Sequence, residues 1–168
     1  SIAAIGMLIA IVTVLFDKYE MGWEIILIGM GIGAVIGLFA AIKVEMTQMP
    51  QLVAIFNGFG GGASALIASA EFLTPQDESA ALFKLATIMF SVIIGTLTFT
   101  GSFIAFGKLQ GLVSSKPITY PAQQIINGII LIGLIGLSYF LAHSTNTVNY
   151  NYFYLILFLS ALIGITLT

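Results

Sequence analysis

Residues 24–44 read EIILIGMGIGAVIGLFAAIKV, and no charged side chain interrupts the run between Glu24 and Lys43. At about 1.5 Å per residue, a helix of this length crosses the roughly 30 Å hydrocarbon core of a bilayer. Outward from it, further apolar runs occupy 1–16, 51–72, 83–107, 123–142 and 150–168. Charged residues make up 7% of the chain and hydrophobic residues 59%, with a mean hydropathy of +1.10. Ordinary domains carry about 25% charged residues. The few charges fall almost wholly in the short gaps between runs. Lipid gives backbone N–H and C=O groups no partner, so spanning segments are helices or strands of closed barrels. These runs are too long and too evenly apolar for barrel strands of about 10 alternating residues. The prediction is an all-α, polytopic bundle of about six spanning helices, with residues 1–168 forming a single transmembrane domain.

The same composition excludes several functions. The first run begins at Ser1 and is short, and the last reaches Thr168 while still apolar. The expectation is a piece of a longer polypeptide, cut at both ends. A signal peptide is not expected, because the first run lacks a basic start and a small-residue cleavage pattern before Asp17. The chain has no cysteine, hence no disulfide framework and no thiolate metal site. A net charge of −2 without a basic patch gives no sign of nucleic-acid binding. No gap between runs exceeds about 15 residues, so no soluble catalytic domain fits within it. No paired carboxylates, histidine cluster or nucleophile–base pair is present, and covalent chemistry or hydride transfer is not expected from these residues. His143 reads as a solvated loop histidine.

Orientation follows from lysines near the ends of spans. Lys43, Lys108 and Lys116 fall in the second and fourth gaps. Lys18 and Lys84 fall in the first and third, beside Asp17, Glu20, Glu24, Glu71, Asp77 and Glu78. This bias puts the second and fourth gaps, and both ends of the chain, on the cytoplasmic side.

Three runs carry patterned small or polar residues. Gly29, Gly33 and Gly37 repeat every four residues, a ridge on which another backbone packs closely. In the third run, Thr47 is placed to cap the helix and Pro50 suits its first turn. Within that run, Gly58-x-Gly60-x-x-Ala63 spells a dinucleotide fingerprint. The fingerprint needs a preceding strand and an opening helix, and this one lies inside a spanning segment. Gly58, Gly61 and Gly62 are instead read as packing glycines, or as a loosened stretch of helix beside a cavity. Asn57, Gly61, Ser64, Ala68 and Glu71 share one helical face, with Leu52, Ile55, Phe59 and Leu66 on the other side. Glu71, near the helix end, is expected to snorkel outward. The fourth run repeats the design with Thr87, Ser91, Gly95, Thr98 and Ser102. Two such stripes on successive helices line one hydrated path, or hydrogen-bond one helix to another; the residues alone leave both readings open.

Two stretches resemble a known family. Residues 44–58, VEMTQMPQLVAIFNG, resemble the start of a membrane helix in the beta subunit of proton-translocating NAD(P) transhydrogenase. Residues 98–111, TFTGSFIAFGKLQG, resemble the next helix, and Ser114-Ser115-Lys116-Pro117 continues the likeness. The resemblance implies an enzyme with separate soluble NAD(H) and NADP(H) domains and a membrane part that conducts protons. This chain would hold six of the beta subunit's membrane helices. NAD and NADP would serve the whole enzyme, with neither bound by this chain. Implied partners are the alpha subunit with its membrane helices, the remaining helices and NADP(H) domain of the same subunit, and the lipid bilayer. A dimer of the whole enzyme in the bacterial plasma membrane is also implied.

The resemblance further implies a proton path past Asn57 and Ser102, with Thr87 at a related position, and the two stripes add Ser64 and Thr98 to it. Many relatives have a histidine where this chain has Asn57, and some have a glutamate at the position of Thr87. Some members that are similar here place the titratable histidine on a helix of the partner subunit. Two other readings compete with the family's: a secondary transporter or channel subunit, which the helix count and stripes support, and a passive assembly subunit, which the Gly29-Gly33-Gly37 ridge supports.

Overall fold

The computed structural model describes residues 2–16, 23–74, 81–116, 121–143 and 150–168. The chain is all-α: α1 Ile2–Phe16, α2 Trp23–Lys43, α3 Met49–Leu73, α4 Ala81–Leu109, α5 Gln123–His143 and α6 Tyr150–Leu167. Five of the six, α2 to α6, are long and apolar enough to cross a membrane; α1, at 15 residues, is shorter than a span. The gap residues Asp17, Lys18, Glu20, Asp77, Glu78 and Pro117, and the side chain of His143, lie outside the described residues.

Two compact units divide the chain, residues 1–45 and 46–168. The first holds α1 and α2. Within α2, Glu24 stands in the first turn and Lys43 in the last, each matching the partial charge of its helix end. The Lys43 ammonium lies over the Phe39 ring at 5.4 Å from its centroid. No residue of α2 is buried, and a Cβ added at Gly29, Gly33 or Gly37 would meet nothing within 4 Å among the described residues.

The second unit is a four-helix bundle with α4 at its centre. A single 3-10 turn, Met46–Gln48, winds directly into α3. The cap position is therefore Gln48 rather than Thr47, with no side-chain cap bond, and Pro50 lies in the first turn as expected. α3 and α5 run one way and α4 and α6 the other. At one end, Gln51 Nε2 donates to Leu109 O at 3.5 Å and Gln123 Nε2 to Thr166 O at 2.6 Å. Thus the starts of α3 and α5 meet the ends of α4 and α6. At the other end, Phe72 of α3 stacks on Phe153 of α6, with centroids 4.3 Å apart. Glu71 also pairs there with Lys84, so the expected outward-reaching carboxylate is held by the next helix.

The bundle core is Met89, Val92, Leu134, Ile156, Ile163 and Ser160, all but closed to solvent. Ser160 is tolerated there because its hydroxyl donates to Ile156 O one turn back, at 2.7 Å. Between membrane helices, close van der Waals packing and hydrogen bonds replace the hydrophobic force. Two glycine crossings supply that packing, one on each side of α4. Toward α3, a Cβ at Gly61 would stand 2.8 Å from Gly95 O, and one at Gly95 would stand 2.7 Å from Gly61 O. Toward α6, a Cβ at Gly164 would stand 2.5 Å from Leu97 O and collide with the Thr100 hydroxyl.

Candidate functional site

Among the described residues no group of His, Cys, Asp or Glu side chains could hold a metal ion, and the functional candidate is the polar seam of α3 and α4. Helical spacing places its residues. On α4, Thr87, Ser91, Gly95, Thr98 and Ser102 climb one line; on α3, Asn57, Gly61 and Ser64 climb the facing one. Backbone contact at Gly61 and Gly95 forms the floor. Because those residues have no side chain, the flanking polar groups stand beside an open furrow rather than being prised apart.

The furrow has two recesses. One, of about 490 Å³, is lined by Ser64, Thr87, Ser91 and Thr98, with Gly60 and Gly95 among its walls. The other, of about 650 Å³, is lined by Asn57 and Ser102 with Met49, Pro50, Val53 and Ala105. Asn57 Nδ2 donates to Ser102 Oγ at 2.8 Å, the bond that joins the two stripes. Elsewhere helix hydroxyls mostly close on their own backbone, as Ser69 does on Ala65 O and Ser138 on Leu134 O. Thr87 does the same, on Phe83 O at 2.9 Å. Asn57, Ser64 and Thr87 are exposed in this chain, and Ser91, Thr98 and Ser102 are half-buried.

The five residues expected along a path therefore fall on one seam: Thr87, Ser64 and Thr98 in one recess, Asn57 and Ser102 in the other. The three glycines of α3 read as packing residues all meet α4. Gly58 and Gly61 are buried against α4, and a Cβ at Gly62 would stand 2.8 Å from the Phe99 ring. Gly60, the middle glycine of the fingerprint-like string, meets nothing within 4 Å. That string lies wholly inside continuous α3, where N–H groups are spent on the helix ladder. It forms no phosphate-binding turn, and these residues do not fit a dinucleotide.

Two polar features escape the sequence reading. Gln123, Asn127 and Thr166 form a second interhelical cluster between α5 and α6, with Thr166 Oγ1 donating to Asn127 Oδ1 at 3.0 Å. The i, i+4 spacing of Gln123 and Asn127 is its sequence signal. The α4–α6 crossing is the other; Ser160-x-x-x-Gly164 is the small-residue pair that marks it, and Thr100 Oγ1 donates across it to Ala161 O at 3.1 Å.

Residues 1–168 match the family described as the NAD(P) transhydrogenase beta subunit. Two relatives named NAD(P) transhydrogenase subunit beta, both from Rhodospirillum rubrum, are 40% identical over 126 residues, covering 71% of this chain and 27% of their own length. The chain thus spans about a quarter of the length of these relatives. The quoted blocks at 44–58 and 98–111 line the larger recess, and the match extends beyond them to every helix: the chain belongs to the NAD(P) transhydrogenase beta-subunit family.

Proposed function

We propose that this chain is the proton-conducting membrane part of NAD(P) transhydrogenase. In the whole enzyme, inward proton movement would be coupled to hydride transfer from NADH to NADP+ in soluble domains outside residues 1–168. The alpha subunit, the remaining beta-subunit helices and a second copy of the enzyme are its partners, in a bacterial plasma membrane. The supporting observation is the α3/α4 furrow. It carries hydroxyl and amide groups on an open face of a chain that otherwise shows lipid apolar side chains, such as Leu66 at 73% exposure. Polar groups at membrane depth face a protein neighbour or water, because hydrocarbon leaves them unpaired.

Asn57 is the pivot of this reading. A carboxamide donates and accepts but does not titrate at physiological pH. It is therefore no proton carrier; it orients a water or an imidazole from the partner subunit, holding one tautomer or one water dipole. Ser64, Thr98, Ser102 and Thr87 extend the polar wall on either side.

The test is proton uptake by the whole enzyme in proteoliposomes. Asn57→Leu should slow coupled pumping about tenfold, the cost of one lost hydrogen bond of roughly 1–1.5 kcal/mol at the rate-limiting geometry. Hydride transfer between directly mixed soluble domains should keep its rate, since those domains stand outside the bilayer. Unaltered pumping in Asn57→Leu would reduce the stripe to helix packing.

A further inference from the structure

We infer that Glu71 is the group that takes up protons where the α3/α4 seam meets water, at the end away from Asn57. This rests on the path reading above and adds what that path lacks. Asn57, Ser64, Thr87, Ser91, Thr98 and Ser102 donate and accept hydrogen bonds, but none of them holds a proton near neutral pH. Among the described residues of 46–168, Glu71 is the only acidic side chain. It lies within the span Met46–Leu73, and Lys84 lies within the span Phe83–Leu109. Ionisable side chains inside spanning helices are rare and mark proton or ion pathways.

Helical spacing puts the carboxylate on the seam. Glu71 follows Ser64 by two turns, and Lys84 precedes Thr87 by one; Ser64 and Thr87 both line the smaller recess. A carboxylate near a helix end can extend outward into water. This one turns onto α4 instead and pairs with the Lys84 ammonium, while side-chain exposures of 39% and 45% keep both groups in touch with water. Exposed pairs of this kind add little to stability, so a clasp between helices is a poor account of two charges placed here. The start of α6 reaches the same end through Phe153, stacked on Phe72; its titratable groups are the phenols of Tyr150, Tyr152 and Tyr154, and it carries no carboxylate. A proton from bulk water converts the Glu71 carboxylate to the neutral acid, which loosens its hold on the ammonium. The acid then gives that proton to water in the recess, and the carboxylate pairs with Lys84 again.

The experiment measures proton pumping by the whole enzyme in proteoliposomes, with pH varied on the side of the Glu71–Lys84 end and held constant on the other. In the wild type the rate should rise as that pH falls, because a larger share of the carboxylate is protonated. Glu71→Gln keeps a hydrogen bond to Lys84 but holds no proton; it should lose most of the pumping and the whole of the rise. Glu71→Asp should restore the rise. Lys84→Met breaks the pair and keeps the carboxylate, so the rise should persist. Asp77→Asn combined with Glu78→Gln removes the two carboxylates between α3 and α4 and should also leave the rise in place. A rise that survives in Glu71→Gln, or that is lost equally in Glu71→Gln and Lys84→Met, would make the pair a helix clasp and overturn the inference. Slow pumping in Asn57→Leu beside a normal profile in Glu71→Gln would do so too, and would leave the path reading standing. Normal pumping in Asn57→Leu would remove the path reading, and this inference with it.

Discussion

At the scale of single residues, glycines with the same name do opposite jobs within one turn of α3. Gly61 lies where α3 and α4 touch backbone to backbone: an added methyl would reach Thr98 Cβ at 2.7 Å and Gly95 O at 2.8 Å. A carbonyl oxygen in a helix cannot move aside as a side chain does, so the helices must separate. Gly60, one residue earlier, faces open space. Gly61→Ala should therefore destabilise the bundle by about 1–3 kcal/mol, the usual cost of overpacking. Gly60→Ala should be neutral or stabilising by up to about 1 kcal/mol, because alanine favours the helix. Unfolding of the purified chain in mixed detergent, followed by helical circular dichroism, separates the two. A larger loss from Gly60→Ala would mean that a further helix occupies that face in the purified state. The four-residue spacing in the sequence marks Gly61 as interfacial. It does not distinguish a glycine closed by a neighbour from one left open, because that depends on where the next helix lies around the axis.

At the scale of helices, apolar length and charge placement make the elements legible and leave their pairing undetermined. The runs 51–72, 83–107 and 123–142 become Met49–Leu73, Ala81–Leu109 and Gln123–His143, because charge and loop residues stop a span wherever the bilayer ends. Which face meets which neighbour is harder. The stripe Asn57, Gly61, Ser64, Ala68, Glu71 is one face by spacing, yet it is split in the bundle: Gly61 and Ala68 are buried, while Asn57 and Ser64 lie open at the edge of the same contact. Hydropathy cannot show this, since interface and lipid-facing positions are equally apolar in a membrane helix. The α4–α6 crossing went unread for the same reason, and it carries its own prediction. Thr100→Val removes the bond from Thr100 Oγ1 to Ala161 O and should cost only about 0.6 kcal/mol, the average for such bonds. Gly164→Ala forces a methyl against Leu97 O and the Thr100 hydroxyl, and should cost several times more. Detergent unfolding of both variants checks the order; equal losses would show that the hydrogen bond, rather than the close approach, holds α6 to α4.

For the whole molecule, the antiparallel order of α3 to α6 sorts the lysines of these helices onto two ends, so that the charge bias becomes a testable expectation about sides. The bonds from Gln51 to Leu109 O and from Gln123 to Thr166 O gather the start of α3, the end of α4, the start of α5 and the end of α6 at one end of the bundle. Lys108 is there too, its ammonium donating to Thr168 O at 2.5 Å, where a cation also suits the negative end of a helix. After α4, Gly111 takes a φ of 72° that side chains resist, and the chain turns so that the N–H of Leu112 returns to Gly107 O at 2.9 Å. Lys116 follows in the same connection. The opposite end holds the Glu71–Lys84 pair and Thr74. Lysines are retained on the cytoplasmic side of spans while acids count little, so the Lys108 and Lys116 end should be cytoplasmic. Residues 1–168 contain no cysteine, so a single introduced thiol reports on its own position within them. A single Lys116→Cys change should react with a membrane-impermeant maleimide in inside-out vesicles and stay silent in intact cells. Thr74→Cys should react in intact cells. Both sites reacting from one side would contradict the antiparallel order itself. Each reacting from the side opposite to that expected would keep the bundle and invert its orientation, so that the larger recess, with Asn57 nearer the α3 start, would open toward the outer face instead of the cytoplasmic one.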